Sequence, residues 1–306
     1  MIRVGNAPCS WGALEFDAAE QPAPAAQVLD EMAAAGFVGT ELGDWGFLPT
    51  DPAALAAAVG GRHLALIAAF VPVALARADA IDEGTARAVR TAQLLRDANR
   101  AGPASAVGEP LLVLADDNAS VANRTARAGR IREEDGLTAA QWDGFARRAE
   151  HVAAAVRDAV GLRTVFHHHC AGYVETPEEI DALMSRTDPA LLGLCLDTGH
   201  LTFAGGDPLT TLAQYADRVW HVHFKDCAPA LAAQARVEGW DYHTAIRRGI
   251  FCELGKGMVP FARVLDALRA RNYAGWIVVE QDVLPGLGTP AASAARNRAY
   301  LRRLGI

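Results

Sequence analysis

Thiolate patterning is missing from this chain. Its five cysteines, Cys9, Cys170, Cys195, Cys227 and Cys252, are odd in number, and no two are separated by only two residues. That argues against a disulfide framework and against a thiolate zinc site, and leaves reduced thiols as the default. Basic charge is scarce as well: 29 Lys and Arg face 36 Asp and Glu, for a net charge of −7. Such a balance repels phosphate backbones, so no nucleic-acid partner is expected. Long hydrophobic runs are also lacking. The greasiest segment, residues 64–76, is interrupted by Pro72 and falls short of the roughly 18 residues of a membrane-spanning helix. The start, MIRVGNAPCSW, lacks the apolar segment of a secretory leader, so no membrane anchor and a cytoplasmic location are expected. Nor does a glycine-rich phosphate loop follow the first apolar run, where the chain reads Gly5-Asn6-Ala7-Pro8. That removes the main signature of an open, doubly wound nucleotide-binding sheet.

What the chain does have is repetition. Short β-rich runs occur at 3–7, 38–42, 65–70, 111–114, 163–169, 192–197, 219–225 and 275–280. Between them lie Ala-, Leu- and Arg-rich stretches of helical spacing at 24–35, 52–59, 83–100, 139–160, 177–186, 208–215, 260–271 and 291–304. Several open with an N-cap residue followed by proline: Asp51-Pro52, Thr176-Pro177, Asp207-Pro208 and Thr289-Pro290. Eight strands alternating with eight helices over 306 residues predict an α/β fold, a single (β/α)8 TIM barrel of parallel strands spanning 1–306. Long connections are expected after the fourth strand, 117–136, and after the seventh, 227–258. Both are candidate lids or substrate walls. The arginines of the first, Arg124, Arg127, Arg130 and Arg132, read as a solvated charge run.

In such a barrel, chemistry belongs at the C-terminal ends of the strands, and here those ends are polar. The second strand ends at Glu41 and the fifth in His167-His168-His169. The sixth ends in Asp197-Thr198-Gly199-His200, the seventh carries His221, His223 and Lys225, and the eighth ends in Glu280-Gln281-Asp282. Successive strand side chains alternate between faces, so His167 and His169 share one side, and His221 and His223 another common side. A set of His167, Asp197, His223 and Glu280, one from each of the last four strands, is the expected metal cluster. Imidazole and carboxylate donors without thiolates suit Mn²⁺, Co²⁺, Fe²⁺ or Zn²⁺. His169 is then expected above the metal for substrate, and His168, on the other face, to be structural. Trp11, at the end of the first strand, offers either a face for stacking on a sugar or an aromatic plug.

The motifs APCSW (7–11), GTELG (39–43), HHHCAG (167–172), LDTGH (196–200), HVHFKD (221–226) and GWIVVE (275–280) run along nearly the whole chain. Together they resemble the xylose-isomerase-like barrel superfamily of sugar isomerases, epimerases and dehydratases, and within it the inosose-dehydratase-like members. The resemblance implies a divalent cation, Mn²⁺ or Co²⁺ first and Mg²⁺, Fe²⁺ or Zn²⁺ otherwise, held by Glu, Asp, His and Glu. Asp197, His223 and Glu280 match that pattern. His167 stands where the superfamily has its first Glu, and Glu175 on the following loop is a candidate replacement carboxylate. Glu41, His169, Glu175 and Trp11 are expected to meet substrate.

The chemistry implied is enediolate formation on a polyol ketone or ketosugar, with Glu280 as base. Lys225 or His200 would protonate a departing hydroxyl. A single rim carboxylate opposite an imidazole favours a dehydratase of the inosose dehydratase type over an isomerase or epimerase. A non-catalytic sugar- or metal-binding barrel is the remaining alternative. A DNA-repair endonuclease is disfavoured, because the second and third strands end in Glu41 and Phe70 instead of histidines. The expected partner is a small polyol or sugar, with homo-oligomer formation left open.

Overall fold

In the computed structural model of the chain, which describes residues 1–12, 23–102, 108–284 and 286–306, the apolar runs pair side by side as parallel strands. These are β1 (Arg3–Asn6), β2 (Gly39–Thr40), β3 (Ala65–Leu66), β4 (Ala68–Val73), β5 (Leu111–Asp116), β6 (Thr164–His167), β7 (Leu192–Asp197), β8 (Val219–Phe224) and β11 (Trp276–Val279). Their order in the sheet is β3-β2-β1-β11-β8-β7-β6-β5-β4. The two end segments, β3 and β4, are separated in the chain by Ile67 alone. Its N–H donates to Thr40 O at 2.9 Å and its carbonyl accepts from Leu111 N at 3.0 Å. One residue thus joins both edges, and the sheet closes into the TIM barrel expected from the eight alternations. Closure leaves no unpaired edge to manage. The remaining strands, β9 (Asp226–Cys227) and β10 (Phe251–Cys252), form a separate antiparallel pair.

Alternation along each strand sorts side chains between two cores. Val113, Val165, Cys195 and Val278 pack inside the barrel, while Leu112, Leu114, Phe166, Leu194, Leu196, Val222, Phe224, Ile277 and Val279 face the surrounding helices. Burying each of these large side chains is worth about 1.5–3 kcal/mol. Continuing the same parity to the strand ends turns His167, Asp197, His223, Lys225, Glu280 and Asp282 inward.

The outer layer consists mainly of α1 (Ala25–Ala35), α2 (Pro52–Gly60), α3 (Ile81–Ala101), α5 (Ala139–Val160), α6 (Pro177–Met184), α8 (Pro208–Gln214), α11 (Phe261–Ala270) and α12 (Pro290–Arg303). Asp51, Thr176 and Asp207 cap their helices with side-chain hydrogen bonds, each followed by a proline in the first turn. Thr289 makes no such bond, so α12 starts on its proline alone. The 22-residue α5 begins with a reciprocal Thr138–Gln141 capping box and stops at Gly161, whose φ is 82°. Among the described residues, no helix is long and apolar enough to cross a membrane.

The two long connections are more structured than their sequences suggest. The first contains α4 (Ala122–Ala126), and the second contains α9 (Pro229–Glu238), α10 (Tyr242–Arg247) and β10. A separate apolar cluster, including Trp240, Tyr242, Ile246, Ile250, Phe251 and Phe203, holds the second connection on the barrel rim. Nor is the arginine series simply a solvated run. Arg124 is fully buried, paired to both oxygens of Glu179 at 2.7 Å, and its Nε donates to Gly172 O at 2.8 Å. A planar guanidinium satisfied on both edges is the form in which a buried charge is tolerated.

Candidate active site

The polar strand ends converge on a cavity of about 130 Å³ at the C-terminal mouth of the barrel, lined in part by Glu41, His169, Lys225, Glu280 and Asp282. At its base, one donor atom from each of His167, Asp197, His223 and Glu280 lies within 4.8 Å of the others. His167 Nε2 is 3.1 Å from His223 Nδ1, which is 3.3 Å from Glu280 Oε1. Asp197 Oδ2 stands 3.7 Å from His167 Nε2 and 3.8 Å from His223 Nδ1.

Asp197 is held by the start of α7 (Thr198–Phe203), a helix the strand-and-helix spacing does not reveal. Its Oδ1 accepts from Gly199 N and His200 N, both at 2.8 Å. On the far side of β6, His168 Nε2 accepts from Asp197 N at 3.1 Å, the structural part expected of it. The other carboxylate oxygen, Oδ2, is buried without a hydrogen-bond partner. Burial pulls this carboxyl up, but the neighbouring His167 imidazole and the positive charge of Lys225 outweigh it and hold it below the usual range. An ionised, unpaired oxygen in a dry site is costly, and a cation lodged among these four donors would offset that cost. Two imidazole nitrogens and two carboxylate oxygens therefore fit a divalent cation.

Glu41, expected against substrate, also works behind the cluster. Its Oε1 lies 2.7 Å from His221 Nε2 and 3.0 Å from His223 Nε2. A proton on His223 Nε2 donated to Glu41 leaves Nδ1 as a lone pair facing the cluster. His167 has no such support, since its Nδ1 has no partner.

Lys225 projects into the cavity beside the cluster, 3.0 Å from Glu280 Oε2 and 3.5 Å from Asp282 Oδ2. Burial works against its charge, but Asp282 and Glu280 outweigh it, so the ammonium is held well above its ordinary pKa. Gly199 makes room for it: a Cβ there would meet Lys225 Cγ at 2.5 Å. His200, expected to protonate a leaving group, instead stands behind Lys225, with Nε2 3.3 Å from Nζ. Its ring packs on His169 at 3.8 Å between centroids and on Phe251 at 4.7 Å. The α7 turn carries His200 off the strand line, so it stands behind two cavity residues, Lys225 and His169.

Trp11 takes the plug reading and not the substrate-facing one, and the expectation for Glu175 is corrected. Trp11 is a buried plug in the outer core, with its indole N–H donating to Glu31 Oε2 at 2.7 Å. A 3-10 turn over Pro8–Trp11 swings it away from the cavity and towards α1. Glu175 does not join the cluster. Its oxygens accept from Gly129 N at 2.6 Å and Ala171 N at 2.8 Å, tying the β5–α5 connection to the β6–α6 connection. Conversely, Asp282, Cys9, Asn118 and Tyr242 line the cavity without having been assigned to it from the sequence. Asp282 follows the inward parity of Glu280 and could have been found that way; the others lie on loops or inserted helices.

Comparison with known proteins gives a consistent result. A family model described as xylose isomerase-like TIM barrel matches residues 29–304. The chain is 31% identical over 300 residues to an inosose dehydratase of Lacticaseibacillus casei, covering 98% of this chain and 96% of that protein. It is 32% identical over 303 residues to an inosose dehydratase of Geobacillus kaustophilus (strain HTA426), covering 99% and 94%. The structure of 3-keto-D-glucoside 4-epimerase from E. coli superposes with a TM-score of 0.67 at 16% identity, over 99% of this chain and 100% of that one, a likeness of fold.

Proposed function

The chain belongs to the xylose isomerase-like TIM barrel family, and on that premise we propose that it is a divalent-metal-dependent dehydratase of a polyol ketone, of the inosose dehydratase type. Its curated relatives named above are inosose dehydratases, which are lyases. The reading rests above all on one observation, the four-donor cluster with its orphaned Asp197 oxygen next to the Lys225–Glu280 pair.

His167, Asp197, His223 and Glu280 would hold the cation, Mn²⁺ or Co²⁺ by preference. When bound, it supplies a Lewis acid that polarises the substrate carbonyl and lowers the acidity barrier at the neighbouring carbon. Glu280 removes the proton from the carbon beside the carbonyl. The electron pair left there forms the new C=C bond as the C–O bond to the β-hydroxyl breaks. Lys225 donates a proton to that hydroxyl, which leaves as water. Glu280 is then protonated and Lys225 neutral, and their 3.0 Å contact lets the proton pass back to reset both. The resulting enol rearranges to a dione, with no net redox change.

Glu41, Asp44 and Asp282 add carboxylates to the cavity beside Glu280, and Glu280 and Asp282 share Lys225. Elimination needs a base beside an acid that can protonate the departing hydroxyl, and the Glu280–Lys225 contact supplies that pair, which favours elimination. The test is to incubate the Mn²⁺- or Co²⁺-loaded protein with an inosose in D₂O. Loss of water with dione formation supports the dehydratase. Deuterium entering recovered ketone with no dehydrated product points to an isomerase or epimerase.

A further inference from the structure

The rim connection after β9 brings one cavity residue that the acid–base set does not use. Tyr242, at the start of α10, lines the cavity while its ring is packed in the cluster that seats this connection on the barrel. Its hydroxyl lies 3.4 Å from His169 Nε2. His169 is itself fixed, because its Nδ1 lies 2.6 Å from Cys170 O, an acceptor only. Nδ1 therefore carries the proton, Nε2 is a lone pair, and the Tyr242 O–H donates to it. A phenol whose proton is committed in this way can act towards the cavity it lines only as an acceptor.

The surroundings restrict what that acceptor can meet. Glu41, Asp44, Glu280 and Asp282 also line the cavity, and among the described lining residues the one Lys or Arg is Lys225, already paired to Glu280 and Asp282. An anionic substituent on the substrate would meet carboxylates and a phenol acceptor. A neutral hydroxyl would donate to Tyr242. His169 packs against both Tyr242 and the cluster residue His167, with ring centroids 5.5 Å from each, and Tyr242 is not itself one of the clustered donors. The hydroxyl concerned is therefore remote from the carbons that react.

We propose that Tyr242, oriented by His169, is a specificity-determining residue that accepts a hydrogen bond from a substrate hydroxyl away from the reacting carbons. This rests on the reading of the site as one for a polyol ketone. Isothermal titration of the Mn²⁺-loaded protein and of Tyr242→Phe with an inosose, and with its monodeoxy derivatives each lacking one hydroxyl, tests it. The expected result is about tenfold weaker inosose binding by Tyr242→Phe. That loss should disappear for one monodeoxy derivative, which the two proteins bind alike. Equal affinities of both proteins for the inosose, or the same loss with every derivative, overturn the role of Tyr242 and leave the site reading standing. If the wild-type protein binds none of these compounds, the site reading fails and this inference fails with it.

Discussion

Lys225 Nζ lies 3.0 Å from Glu280 Oε2, with both side chains largely buried. In such a setting a proton removed by the carboxylate need not enter solvent before the ammonium is restored. The proposed base and the proposed leaving-group acid are thus in direct contact.

Replacing Lys225 by Met should separate the two halves of the reaction. Elimination is expected to fall by roughly 10²–10⁴-fold, the usual worth of a positioned acid. Exchange of the proton beside the carbonyl, which needs Glu280, should remain detectable by NMR in D₂O. Equal loss of exchange and elimination would show that Lys225 does not act specifically on the leaving group.

Glu41 holds two histidines through one oxygen, and His223 is one of the four clustered donors. Burial pushes its carboxyl up, but His223 and His221 outweigh that and keep it ionised. Glu41→Gln should weaken Mn²⁺ binding by about 10–100-fold, as loss of an orienting carboxylate does in other metal sites. Titration followed by the EPR signal of free Mn²⁺ checks this, with circular dichroism to confirm the fold. Unchanged affinity would mean that Glu41 does not tune His223.

Glu175 supplies a pH dependence. Burial pushes its carboxyl up from 4.5 to about 7, against the opposing N–H groups of Gly129 and Ala171. Between those values the native chain keeps a proton that the unfolded chain has released. Its contribution to stability is therefore complete below pH 4.5 and lost as pH rises through about 7. Glu175→Gln is neutral throughout. The melting temperature of the wild type relative to this variant should fall by something on the order of 2–6 °C between pH 4.5 and 8. A difference independent of pH would place the Glu175 titration outside this window.

The parts legible in the sequence are those governed by strict alternation. Val219 to Lys225 and Gly275 to Asp282 keep the two-residue period, so parity alone groups His221, His223 and Lys225 on one face, and Glu280 with Asp282 on another common face. The lengths of α5 and β7 were readable for a similar reason, a sustained period bounded by Thr138 and Gly161 in the helix. Extrapolation fails where the chain leaves the strand. Trp11 ends a 3-10 turn, His200 lies in α7, and Glu175 comes after Ala171, whose φ is 67°. Beyond such points no period relates residue number to direction. Arg124 was hidden for another reason: its partner Glu179 lies 55 residues away, and a buried pair at that separation leaves no local pattern. Tyr242 belongs to a connection built from short helices, too brief for a repeating apolar face to stand out.

The central claim is that His167, Asp197, His223 and Glu280 together hold a divalent cation, and Asp197→Asn tests it most directly. An asparagine keeps an Oδ1 for the two N–H groups that start α7 while replacing the orphaned Oδ2 by an amide nitrogen, which cannot ligate. Both proteins would be stripped with chelator, reloaded with Mn²⁺, dialysed, and their metal content measured by atomic emission. The wild type should retain one Mn²⁺ per chain and a folded Asp197→Asn protein should retain almost none. A wild type that holds no metal, or a variant that holds as much as the wild type, would contradict the account.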